Sequence, residues 1–120
     1  MLEIKDKYGA RLLVAERDFE TVMNWGSAKK ACQDLGNGWR LPSMDELLSM
    51  HEQLYKNGKG NFKTGKKLLH EDYWSSELFV SSITGRVDNK HVYIFDFNGA
   101  VFNTSHIEEA AYVRAVRDLK

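Results

Sequence analysis

The chain has 120 residues, balances 17 basic against 17 acidic side chains, and is 42% hydrophobic and 12% aromatic. That size fits one domain, and its composition excludes a disordered chain. The charge balance argues against a chain-wide nucleic-acid partner. The single cysteine excludes an internal disulfide framework and a four-cysteine zinc site. No apolar run approaches the ~20 residues needed to span a bilayer. Met1 to Asp6 has no basic start followed by an apolar stretch, so the chain reads as cytoplasmic unless a leader was trimmed from it.

Leu2 and Ile4 alternate weakly before a turn near Tyr8-Gly9. Arg11-Leu12-Leu13-Val14-Ala15 reads as a strand buried on both faces. Asn24 and Gly36 bracket a first helix as N-cap and C′ residue. Trp25, Ala28, Cys32 and Leu35 share one face of it, with Lys29, Lys30, Gln33 and Asp34 facing away. After Gly36-Asn37-Gly38 and Trp39-Arg40-Leu41-Pro42, Ser43 and Glu46 form a capping box, so a second helix starts near Met44. Its predicted apolar face is Met44, Leu47, Leu48, His51, Leu54 and Tyr55.

Lys56 to Lys67 holds five lysines and three glycines with no acid, which reads as a loop. Tyr73-Trp74-Ser75-Ser76 reads as a short strand, and Thr84 to Asn89 as a turn region. His91 to Phe97 alternates as a strand, with Asn98-Gly99 as a two-residue type I′ turn and Ala100 to Thr104 as the return strand. That register sets Phe95 opposite Phe102. Ala111 to Asp118 gives a last strand, where the parity of Val113 and Val116 demands two buried faces or a bulge. Helices grouped early and strands grouped late predict an α+β fold with an antiparallel sheet.

Trp25, Ala28, Cys32 and Leu35 are followed by Trp39-Arg40-Leu41-Pro42, Glu46-Leu47 and Tyr73-Trp74-Ser75-Ser76. Phe97 with Gly99 and Val113-Arg114-Ala115-Val116-Arg117 close the series. In this order they resemble the family typified by the C-terminal domain of the Legionella collagen-like adhesin, from about Asn24 to Arg117. The resemblance implies a C-type-lectin-like fold, in which the terminal strands pair, two helices flank a small twisted sheet, and a long loop region lies to one side. It also implies an adhesion or ligand-binding module of a bacterial surface or secreted protein. Family members often carry a cysteine at the position of Ala115 that can pair with the first-helix cysteine; here Cys32 lacks that partner. The Glu-Pro-Asn and Trp-Asn-Asp calcium tripeptides of sugar-binding C-type lectins are missing, so calcium-dependent sugar binding is not carried over.

Trp25, Trp39, Arg40, Pro42, Glu46, Trp74, Ser75, Arg114 and Arg117 form the signature of this resemblance. The preferred reading of its arginines and tryptophans is structural, with guanidinium groups packed on indoles and Glu46 as the partner of Arg40. The competing reading is an aromatic-plus-guanidinium ligand site. Cys32, on the apolar helix face, reads as a buried inert thiol. His51, His70, His91 and His106 show no zinc spacing, and Ser75 and Ser76 lie in no nucleophile elbow. Lys56, Lys59, Lys63, Lys66 and Lys67 are the candidate polyanion-binding residues, against a solvated loop. The leading functional reading is a non-enzymatic module for a glycan, polyanion or protein ligand, with no cofactor and no metal. The alternatives are an enzyme with a dispersed site such as His70, His91 and Arg114, and a structural subunit of a surface or phage-like assembly.

Overall fold

A computed structural model describes residues 2–63 and 72–119. Strands β1 (Leu2–Lys5) and β2 (Arg11–Val14) form a hairpin, followed by helices α1 (Trp25–Asp34) and α2 (Met44–Gln53). Strands β3 (Tyr73–Val80), β4 (Val87–Asp96), β5 (Val101–His106) and β6 (Val116–Asp118) complete the chain. Among the described residues no helix is long and apolar enough to cross a membrane.

Two antiparallel three-stranded sheets result, in the orders β1-β2-β6 and β3-β4-β5. In the first, Val14 pairs with Val116, so the two ends of the chain are knitted together. Leu12, Leu13 and Val14 are all buried, as the unbroken apolar run predicts. The second sheet separates two cores. Tyr73 and Phe95, a cross-strand pair, face Ile4, Leu12, Leu47, Met50, Leu54 and Val116. Trp74 and Ile94, the next pair along, point the opposite way, toward Ala28, Cys32, Leu41, Val113 and Ala115.

Both helix starts follow from the sequence. The Asn24 side chain accepts the Ser27 N–H at 2.9 Å. At α2 the capping box closes both ways: Ser43 Oγ accepts Glu46 N–H at 3.2 Å, and Glu46 Oε1 accepts Ser43 N–H at 2.8 Å.

Five expectations change. Leu35 caps the C-terminus of α1 and is 48% exposed, because the left-handed residues Gly36, Asn37 and Gly38 turn the chain off the core just there. In α2 the buried stripe is Leu47, Met50 and Leu54; Leu48 is 42% exposed, and Met44, His51 and Tyr55 form a half-buried rim. The Tyr73 strand runs on to Val80, and β4 begins at Val87 inside the expected turn, because Val80 pairs with Val87 across register shifts. The β4–β5 register places Phe95 opposite Phe102 as expected, but the positive φ values fall at Gly99 and Ala100. Asp96 Oδ1 accepts the Asn98 N–H at 2.8 Å and sets that geometry. The last strand shortens to Val116–Asp118, and residues 111–115 cross the interior through isolated bridges of Ala111 to Met23 and Tyr112 to Tyr73. Val113, Arg114, Ala115 and Val116 are buried in succession, which is why they show no alternation.

Candidate ligand-binding cleft

Most signature residues are engaged by the fold itself. Arg40 forks onto Glu46 (2.7 and 2.8 Å), reaches Asp118 at 3.0 Å and donates to its neighbour's carbonyl at Leu41. The Glu46 carboxylate is the main reason the guanidinium holds its charge more firmly than usual. The Trp39-Arg40-Leu41-Pro42 segment, α2 and β6 are thereby joined at one point. The buried Pro42 carbonyl accepts Ser76 N–H at 2.8 Å. Ser75 is buried, its Oγ accepting Glu77 N–H and its carbonyl accepting the Trp25 indole at 3.0 Å. Trp74 is fully buried and donates to Met23 O at 2.7 Å.

Arg114 is 1% exposed, and its charge is matched inside the protein. Nε donates to Asp18 Oδ1 at 2.8 Å, Nη1 to Ala15 O at 3.1 Å, and the guanidinium lies 4.4 Å from the centre of the Phe62 ring. The Tyr73 hydroxyl donates to Asp18 Oδ2 at 2.7 Å and accepts Lys63 N–H at 2.8 Å. Burial first, then the Asp18 charge, raise the Tyr73 phenol well above its usual range. Phe62 also stacks on Phe97, with centroids 4.1 Å apart. The lysine loop is therefore pinned at its root by Phe62 and Lys63, and sequence reasoning missed Asp18, whose position 96 residues before Arg114 leaves no local signal.

Lys59 and Lys63 are exposed, and Lys56 pairs with Glu52 at 3.3 Å one helical turn back. Lys66, Lys67 and His70 lie outside the described residues. Cys32 is fully buried, and burial pushes its thiol up to about 11. His91 and His106 meet across β4 and β5 with ring centroids 5.3 Å apart. His91 Nδ1 lies 2.9 Å from Asp88, and His106 Nδ1 accepts Glu108 N–H at 3.1 Å. Those contacts share nothing with the surroundings of Arg114, so the structure does not bring His91 and Arg114 together. Among the described residues no group of three His, Cys, Asp or Glu side chains is placed to hold a metal ion.

Trp39 and Arg117 are placed differently. They line an open cleft of about 400 Å³ between β2 and the end of α1, with Leu13, Val14, Ala15, Glu16, Leu35 and Asn37. A second depression of about 400 Å³ continues past Arg117 along Gly38, Asp118 and Leu119. The Arg117 guanidinium stands 5.6 Å from the Trp39 ring centre and donates to Asn37 O at 3.3 Å. Trp25 and Trp74 give their indole N–H groups to backbone carbonyls, whereas among the described residues Trp39 Nε1 has no hydrogen-bond partner. Both Trp39 and Arg117 are half-buried. The cleft so combines an aromatic face, an apolar wall, an unspent N–H donor and a cation.

Paired terminal strands, two helices and a small second sheet define a C-type-lectin-like fold. Botrocetin is similar to this chain with a TM-score of 0.57 at 11% identity, covering 97% of this chain and 96% of that one. EMS16, an antagonist of the collagen receptor integrin α2β1, is similar with a TM-score of 0.55 at 17% identity, covering 99% of each chain. The complex of a von Willebrand factor A1 domain with botrocetin gives 0.56 at 11% identity, over 97% and 96%. The sequence matches the Lcl C-terminal domain family over residues 9–117, and the chain belongs to that family. No curated protein sequence is significantly similar to it.

Proposed function

We propose that this protein is a non-enzymatic ligand-binding module whose site is the Trp39–Arg117 cleft, and that its ligand is an acidic glycan. The observation that carries the reading is the division of the signature. Arg40, Trp25, Trp74 and Arg114 are spent on internal partners, while Trp39 and Arg117 line open space. An indole face takes the C–H side of a sugar ring, and a guanidinium takes a carboxylate or sulfate in a forked, charge-assisted pair. The buried Cys32 thiol and the internally paired Arg114 support a binding role over catalysis, because neither is available to a substrate. Botrocetin and EMS16 support it at the level of the fold, since both are described by what they bind.

The test is titration of the protein with uronic-acid-containing and sulfated oligosaccharides, wild type against Arg117→Gln. A charge-assisted bond is worth roughly 1.5–3 kcal/mol, so the variant should bind about ten- to a hundredfold more weakly at an unchanged melting temperature. Equal affinity of the two proteins would remove the cleft from the account. A second reading places a polyanion on the lysine loop; the anchoring of Phe62 and Lys63, which leaves Lys59 and Lys63 exposed on a fixed root, favours it.

A further inference from the structure

The two sheets have four edges, and among the described residues the fold covers three of them wholly or in part. The outer side of β3 is met by Pro42 O, which accepts Ser76 N–H, and by Tyr112, which bonds both Trp74 and Asp72. The outer side of β6 is met by Arg40, whose N–H and C=O exchange bonds with Val116 at 2.8 and 2.9 Å. On β1 the Gln53 side-chain amide plays the part of a strand: it accepts Lys5 N–H at 2.9 Å and donates to Lys5 O at 2.7 Å. Glu3 and Lys5 add charge to that edge. Among the described residues β5 has no such cover.

The sequence of β5 has none of the usual protection either. Val101-Phe102-Asn103-Thr104-Ser105-His106 contains no lysine, no acid and no proline, the devices that keep exposed edges from pairing. Val101, Asn103 and Thr104 are exposed. The free backbone groups can be assigned. Ile107 N–H bonds inward to Lys90 O at 2.9 Å, and β4 pairs with β5 in unbroken antiparallel register. Alternation then turns residues 101, 103 and 105 inward, and leaves the N–H and C=O of Phe102 and Thr104 pointing outward. The outward carbonyl of His106 is already taken by Glu109 N–H.

The geometry points to a second copy of this chain as the occupant, joined by antiparallel β5–β5 pairing about a two-fold axis. An antiparallel edge is complementary to itself, and a two-fold places the same patch on both sides. One register pairs all four outward groups of Phe102 and Thr104. Phe102 of one copy faces Thr104 of the other, and the reciprocal pair repeats it, giving about four backbone hydrogen bonds. His106, with its carbonyl spent, is left out of that set. Asn103 then lies on the axis opposite its own copy, as a non-hydrogen-bonded pair with Cα atoms roughly 4.5 Å apart. The strand carries no charge to oppose the pairing, and the chain as a whole has no net charge. An arbitrary extended peptide meets the same backbone groups, but without the symmetric Asn103 contact.

Asn103→Cys tests the register directly. A Cα separation of roughly 4.5 Å falls within the disulfide range, and the native Cys32 is buried and does not compete. Under mild oxidation the variant should form a covalent dimer on SDS gels. Val101→Cys should not, because its two copies lie about 13 Å apart in this register. Wild type should show a concentration-dependent monomer–dimer equilibrium by sedimentation, and Thr104→Pro, which removes an outward N–H, should be monomeric with a wild-type circular dichroism spectrum. A strictly monomeric wild type at millimolar concentration would overturn the proposal. A trimer, a dimer that survives Thr104→Pro, or cross-linking at Val101 but not at Asn103 would overturn it equally.

Discussion

Replacing Asp18 with alanine strands a guanidinium. Arg114 has 1% of its side chain exposed and Asp18 has 10%, so little solvent screens the pair in the folded protein. Removing one partner of a buried pair costs roughly 3–5 kcal/mol, since the other charge stays buried. The Tyr73 hydroxyl loses its acceptor in the same step. Unfolding entropy of ~2.1 cal/mol/K per residue gives about 0.25 kcal/mol/K for this length, so the melting temperature should fall by about 12–20 °C. Thermal circular dichroism at low and high salt is the assay, and the loss should be nearly independent of salt. Lys30→Ala, which removes the exposed pair to Asp34, sets the scale of a surface contact at about 2 °C or less. Asp18→Asn combined with Arg114→Met should recover much of the loss, because the stranded charge is gone. An Asp18→Ala shift as small as that of Lys30→Ala would refute the reasoning that Arg114 is internal framework.

Two further outcomes are expected. Cys32 and Tyr73 both hold their protons more tightly folded than unfolded, so stability should be level below about pH 8 and decline as pH rises through about 9–11. Urea midpoints across that window measure it, and Cys32→Ala should soften the decline; a midpoint that rises with pH would contradict both assignments. If the cleft holds the ligand, glutamine at Lys59, Lys63, Lys66 and Lys67 should leave oligosaccharide affinity within about twofold; a loss matching that of Arg117→Gln would transfer the site to the loop.

Local signals carried the fold far. Asn24 and the Ser43–Glu46 box place both helix starts, because caps are satisfied within one turn of backbone. The alternation of β4 gives the Phe95–Phe102 register even though the turn differs. Pairing of Arg40 with Glu46 is legible for the same reason, since six residues separate them. What lies beyond local reach was missed. Asp18 reaches Arg114 across most of the chain, and nothing in the run from Glu16 to Glu20 marks one acid as internal. Residues 111–115 pass between two cores, so periodicity has no solvent face to record. The cleft was illegible for a related reason: Leu35 reads as a core residue by helical spacing and becomes a wall only because Gly36 turns the chain away.

The division between framework and cleft is tested most directly by hydrogen exchange of the three indole N–H groups, read by proton–nitrogen NMR. Trp74, buried and bonded to Met23 O, should exchange slowest, Trp25 faster, and Trp39 fastest of all. A protected Trp39 indole, or a Trp74 indole that exchanges as fast as Trp39, would contradict it.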